Sequence, residues 1–137
     1  MLQLTKRLLP GQDIRNEIEK FVHEQKVQAG VILSLVGCVS QLELRVSDGK
    51  TIKKWNEPFE IVSATGTLSE NGCHIHISAS NQDGITFGGH LREGCLVGTT
   101  IELVIVVFDM IAYERELDEL TGYDEIIVRN LRYDKQD

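Results

Sequence analysis

Cysteine is scarce in this sequence, where only Cys38, Cys73 and Cys95 occur, an odd number with no C-x-x-C pair. The chain also lacks a secretory signal, because residues 1–7 contain no apolar core ahead of a cleavage site. Both absences predict a reduced, cytoplasmic protein in which the thiols are structural.

Long apolar runs and an excess of basic residues are missing as well. The longest apolar run, 101–108, is interrupted by Glu102 and is far too short to span a bilayer, so no membrane partner is expected. Lys and Arg number 14 against 21 Asp and Glu, which gives a net charge of −7. Because attraction to phosphates dominates sequence-independent nucleic-acid binding, this charge does not favour DNA as a partner.

The residues that are present predict one domain over 1–137, without internal repeats or low-complexity segments. Asp13 is a good N-cap for an amphipathic helix that should run to about Val27 and stop near Ala29-Gly30. The apolar stripe of this helix is Ile14, Ile18, Phe21 and Val22.

Strand patterns occupy most of the remaining chain. The strongly charged stretch 113–124, which contains Thr121-Gly122, is predicted to be a solvated loop, and residues 134–137 are predicted to fray. The fold class is therefore α+β, with a strongly curved, mostly antiparallel sheet of about eight strands and one main helix. The strand segments are 2–5, 31–36, 39–46, 51–55, 59–68, a histidine-rich hairpin, 97–109 and 125–128.

Three of the four histidines lie within seventeen residues, at positions 74, 76 and 90. His74 and His76 are two apart, so on a strand they project to the same side. The turn-forming stretch 81–84, Asn-Gln-Asp-Gly, should fold the chain back as a hairpin and bring His90 alongside them.

The register of this hairpin decides whether the third histidine joins the other two. In an antiparallel pair, facing residues have position numbers with a constant sum. A four-residue loop gives a sum of 165 and places His90 opposite Ile75, whereas a sum of 166 pairs His76 with His90. A three-histidine cluster therefore predicts a five-residue loop, or a bulge at Gly88-Gly89.

Three imidazoles with a fourth position left open are a known zinc arrangement, so His74, His76 and His90 are predicted to bind zinc or another divalent metal. The alternative is three hydrogen-bonded histidines at a subunit interface or around a polar pocket. Glu102, inside the otherwise apolar strand 97–109, is the candidate for a general base or a partner of the histidines. Its structural alternative is a salt bridge, with Arg92 as the proposed cation.

Several segments resemble one known family over essentially the whole chain. The G-x-H-x-H-x-S segment at 72–78 and the G-G-H-L segment at 88–91 are similar to those of the Plants and Prokaryotes Conserved domain, abbreviated PPC. The resemblance implies an α+β domain that assembles as a homotrimer, with metal-binding histidines at His74, His76 and His90. It also implies a DNA-binding regulatory protein, although this chain lacks the Arg-Gly-Arg-Pro element that enters the minor groove in plant members.

Three functions compete at this point. By resemblance, the chain is a DNA-associated regulator. Alternatively, it is a metal-dependent enzyme or small-molecule binder, in which Glu102 takes a proton from zinc-bound water. In the third case it is a scaffolding trimer whose long apolar strand supplies the interface. No serine or cysteine nucleophile pattern accompanies the histidines, so the sequence favours a binding protein over an enzyme.

Overall fold

A computed structural model describes residues 1–132, so the predicted fraying of 134–137 lies outside the described residues. One helix and nine strands make up the described part of the chain. No helix in residues 1–132 is long and apolar enough to cross a membrane. The elements are β1 (Leu2–Leu8), α1 (Ile14–Glu24), β2 (Gly30–Arg45), β3 (Ile52–Trp55), β4 (Phe59–Leu68), β5 (His74–Ser80), β6 (Thr86–Leu91), β7 (Leu96–Val107), β8 (Ile111–Leu117) and β9 (Asp124–Asn130).

Seven strands form one sheet in the order β1-β7-β2-β4-β5-β6, with β3 paired to β2. All of its strand pairs are antiparallel. Strand β2 also pairs with β6, through Leu44 opposite Leu91 and Arg45 opposite His90. One helix with an antiparallel sheet confirms the predicted α+β class. The β2–β6 pairing closes β2, β4, β5 and β6 into a ring, which requires the sheet to curve there.

Helix α1 covers the sheet with the predicted stripe, since Ile14, Ile18, Phe21 and Val22 are all buried. Its N-cap is confirmed, because the Asp13 side chain accepts from the backbone N–H of Asn16 at 3.0 Å. The helix nevertheless ends at Glu24, before the predicted Val27. Lys26 takes a left-handed conformation (φ 52°) that terminates it, which the sequence assigned to Ala29-Gly30.

Strand β2 is one strand of sixteen residues, where the sequence predicted two separated by Gly37. The chain stays in the sheet because irregularities in its pairing with β7, including one between Gly37 and Val39, absorb the extra residues. Gly37 has φ 148°, and a Cβ there would overlap the backbone of Thr100. The glycine therefore permits close strand contact and does not end the strand.

The predicted solvated loop at 113–124 is wrong over much of its length, because β8 and β9 form a two-stranded antiparallel sheet. The turn at Thr121-Gly122 is correct, and the Gly122 N–H donates to the Asp118 carbonyl at 2.8 Å. Charged side chains are tolerated because most of this hairpin is exposed. It is attached to the loop between α1 and β2 by the Tyr113 N–H, which donates to the Gln28 carbonyl at 2.9 Å.

Candidate metal centre

The hairpin of β5 and β6 has the register that a three-histidine cluster requires. His76 lies opposite His90 and Ser80 lies opposite Thr86, which is the predicted sum of 166. A five-residue loop, 81–85, makes this register, and the strands pair residue for residue without a bulge at Gly88-Gly89. In the loop, the Asn81 side chain accepts backbone N–H bonds from Asp83 and Ile85, both at 3.0 Å.

Alternation along β5 separates the histidines from the core. Ile75 and Ile77 are buried, whereas His74 and His76 project to the exposed side, as the period of two predicts. Burying the two isoleucines therefore presents the two imidazoles to solvent.

The three rings converge. Nε2 of His74 lies 3.2 Å from Nε2 of His76, and one ring nitrogen from each of His74, His76 and His90 lies within 4.8 Å of the others. Two nitrogens bound to the same tetrahedral zinc at about 2.0–2.1 Å would be separated by roughly 3.3 Å. The His74–His76 separation matches this value, and the nitrogen of His90, which lies within 4.8 Å of both, would have to move closer for all three to bind one ion.

The electrostatics favour the neutral form that a metal ligand needs. Burial, followed by the positive charge of Arg45, lowers the pKa of His90 to about 4. Partial burial and the neighbouring His76 lower the pKa of His74. Nδ1 of His90 is buried and has no hydrogen-bond partner among residues 1–132. A neutral imidazole with an unsatisfied buried nitrogen fits a metal-binding role.

A cavity of about 530 Å³ opens beside the cluster. Its wall joins strands of the main sheet to the β8–β9 hairpin. The lining residues are Arg45, Asn71, Gly72, Cys73, His74, His90, Arg115, Tyr123, Asp124 and Glu125.

Two arginines and a glutamate in this cavity escaped the sequence analysis. The side chain of Arg45, on β2, makes no hydrogen bond or ion pair with the described residues, and the residue opposite it on β6 is His90. Arg115 donates to Oγ1 of Thr67 at 3.2 Å. Glu125 lies close enough for its charge to oppose the lowering of the pKa of His74. These residues come from strands remote in sequence, and no local pattern marks them.

Glu102 does not join the cluster. It lies on β7 opposite Val36 and Arg7, its side chain is exposed, and it is outside the three-histidine group. The proposed ion pair with Arg92 is absent from the described part of the chain. The prediction that the Glu102 carboxylate is buried is therefore wrong. Its suggested role as a general base stays a prediction, and no contact with the histidines supports it.

Fold and site together define an α+β domain whose curved antiparallel sheet carries three convergent histidines on one hairpin. Residues 3–109 match the family model of the Plants and Prokaryotes Conserved domain. The chain belongs to this family, as its sequence indicated.

Known proteins resemble the chain in both sequence and structure. It is 41% identical over 125 residues to the bifunctional protein GlmU of a Synechococcus strain, covering 91% of this chain but only a fifth of that protein. A hypothetical protein from Salmonella cholerae-suis has a similar structure, with a TM-score of 0.91, 32% identity and 94% of each chain covered.

Two other solved structures carry descriptive names. One is a metal-containing protein from Archaeoglobus fulgidus, with 30% identity, a TM-score of 0.78 and coverage of 93% of this chain and 94% of that one. The other is a candidate DNA-binding protein from Bacteroides thetaiotaomicron, with 22% identity, a TM-score of 0.79 and coverage of 95% and 93%. The likeness to the Bacteroides protein shows the fold alone.

Proposed function

We propose that this chain binds one divalent metal ion, zinc, through His74, His76 and His90. The observation that carries the proposal is the convergence of three ring nitrogens within 4.8 Å on the paired strands β5 and β6. The name of the Archaeoglobus protein supports it. Three protein ligands leave one coordination position for water or a ligand, and this position would lie beside the cavity.

Metal analysis of protein purified without a histidine tag tests this proposal. We expect about one zinc per chain after incubation with zinc and gel filtration, and none after dialysis against a strong chelator. A zinc content near zero in the incubated protein would contradict the proposal.

A DNA-associated regulatory role is the second candidate. Family membership and the name of the Bacteroides protein favour it, while the net charge of −7 opposes it. Retention on duplex DNA, measured from low to physiological salt, decides the question, because contacts to phosphates weaken steeply as salt increases. Absence of retention even in low salt would exclude the role.

We also propose that the chain assembles as a homotrimer. Exposed apolar side chains on the paired strands β2 and β4, Leu33, Val36 and Val62, support an interface on this face. Sedimentation should give three times the chain mass of 15.4 kDa. Val36→Lys should reduce this mass, whereas the exposed Lys54→Gln should leave it unchanged. A monomeric wild type would exclude the assembly.

The cavity supports the binding of a small molecule next to the metal, with or without a reaction. Its volume lies within the range of about 300–1,000 Å³ typical of small-molecule sites. A bound zinc would supply Lewis acidity and a water of lowered pKa.

The three free cysteines support a reducing, cytoplasmic setting, and the closed sheet supports a single domain over 1–137.

A further inference from the structure

We infer that the 530 Å³ cavity takes a small molecule bearing an oxyanion, a carboxylate or a phosphate, which pairs with Arg45 beside the histidines. This inference deepens the proposed metal-binding function and rests on it, because the same oxyanion would be within reach of the metal. The β8–β9 hairpin forms the outer wall of the cavity and selects the remainder of the ligand.

Arg45 is the first observation. Its side chain is half-buried, lines the cavity, and has no hydrogen bond or ion pair with residues 1–132. Its guanidinium nitrogens are not among the buried, unpartnered polar atoms, so a ligand in the cavity can reach them. Its proximity to the cluster is shown by its pairing with His90 and by its effect on the pKa values of His90 and His74. An unpaired guanidinium therefore faces the same space as the histidines.

The chemistry of the guanidinium defines the ligand class. Its N–H groups form a planar fork that matches the two oxygens of a carboxylate or phosphate. Carboxylate and phosphate oxygens also bind divalent metals. One oxyanion can therefore pair with the Arg45 guanidinium and also occupy the open coordination position of the metal.

The hairpin determines the other end of the ligand. Arg115 is already engaged, with Oγ1 of Thr67 at 3.2 Å and the Asp124 carbonyl at 3.5 Å. The hairpin also contributes the side chains of Asp124 and Glu125 to the wall. The two carboxylates outweigh the single positive charge of Arg115, so we expect the part of the ligand that faces the hairpin to be neutral or cationic.

The hairpin also lies outside the residues that match the family model. The match covers 3–109, whereas β8 begins at Ile111 and the hairpin supplies four of the ten lining residues, 115 and 123–125. The histidines and Arg45 are within the matched range. The outer wall is thus built largely from residues beyond the matched range, whereas the histidines and Arg45 of the inner anion site lie within it.

Titration of the cobalt-loaded full-length chain tests the inference. Bound Co²⁺ absorbs visible light, and the spectrum changes when a ligand enters its coordination sphere. Inorganic phosphate and acetate are titrated separately, and saturation by one of them distinguishes the two sources of the oxyanion. We expect Arg45→Gln to raise the Kd for that anion at least tenfold with unchanged cobalt content.

Controls separate this inference from the metal proposal. Lys54→Gln removes one exposed positive charge outside the cavity and should leave the Kd unchanged. If Arg45→Gln does not fold, Arg45→Lys keeps the charge without the fork and should bind the anion more weakly than wild type. Failure to take up cobalt would contradict the metal proposal, and calorimetry of the metal-free chain would then measure whether the anion still depends on Arg45.

Three results would overturn the inference. In the first, cobalt binds but neither anion changes the spectrum. In the second, the variants at position 45 bind the anion as tightly as wild type. In the third, Arg45→Gln changes the sedimentation mass without changing the Kd for the anion, which would show that a second copy of the chain pairs with Arg45.

Discussion

His76 and His90 lie directly opposite each other on β5 and β6, with their ring centroids 5.7 Å apart. A slip of one residue would place Ile75 opposite His90 and would turn the apolar side chains of one strand away from the core. The register that buries Ile75 and Ile77 is therefore the register that assembles the histidine cluster. Folding of the core and formation of the site depend on the same pairing.

Removal of one imidazole should strongly weaken metal binding without unfolding the chain. We expect His76→Ala to weaken zinc affinity by about 100-fold or more, because even loss of an outer partner of a metal ligand costs about 10–100-fold. Because His76 is exposed, the free energy of unfolding of the metal-free variant should differ from that of wild type by no more than about 0.5 kcal/mol. Competition with a chelating dye measures the affinity.

His23→Gln is the matched control for this experiment. His23 is exposed on α1, where its Nδ1 lies 3.6 Å from the Glu70 carboxylate, outside the cluster. Its zinc affinity should equal that of wild type. Equal losses in the two variants would show that the metal does not depend on the cluster.

The metal-free protein should lose stability as the pH falls from about 6.5 towards about 4. His90 has an ordinary pKa of 6.5 when unfolded and a pKa of about 4 when folded. Within this window the unfolded state binds the proton and the folded state does not, so acid favours unfolding. Urea midpoints at pH 7.5 and pH 4.5, with chelator present, should differ less in His90→Gln than in wild type. An identical pH dependence in the two proteins would contradict the low pKa of folded His90.

Two adjacent glycines should differ in their tolerance of alanine. A Cβ at Gly89 would lie 2.6 Å from the Arg45 carbonyl, a backbone atom held by the pairing of β2 with β6. We expect Gly89→Ala to lower the free energy of unfolding by about 1–3 kcal/mol and to weaken zinc binding by displacing His90.

Gly88→Ala is the comparison, because its nearest contact is the Ile77 carbonyl at 3.2 Å. It should cost less stability and change zinc affinity less than Gly89→Ala. Chemical denaturation and dye competition on both variants check this order, and the reverse order would contradict the role given to Gly89.

The three thiols should react at different rates. Hydrogen bonds from Thr99 lower the pKa of the half-buried Cys38 thiol. Burial raises the pKa of Cys73, and it raises that of Cys95 to about 11. With iodoacetamide at pH 8, Cys38 should be alkylated roughly tenfold faster than the others, as peptide mass spectrometry would show. The rates should become similar in urea, and a native Cys95 that reacted first would contradict these environments.

Local patterns predicted much of the fold and the three histidines of the cluster, but not the charged residues around them. The helix, most strands and the histidine hairpin follow from side-chain periodicity and turn residues, which act over a few neighbouring positions. The predicted strand 125–128 lies within β9, but β8 was missed because this mostly exposed hairpin buries little apolar surface to mark it. Glu102 was misjudged because an apolar run does not reveal that one of its faces reaches solvent at that position.

By itself, the sequence determined that His74 and His76 would share one face, since the period of a strand is a local property, and it left the position of His90 between two hairpin registers. Only the tertiary structure decided what surrounds them. Arg45 reaches the cluster because β2 pairs with β6 and closes the sheet, and Glu125 reaches it because a remote hairpin lines the cavity. Such contacts depend on how distant segments pack together, which no short stretch of sequence encodes.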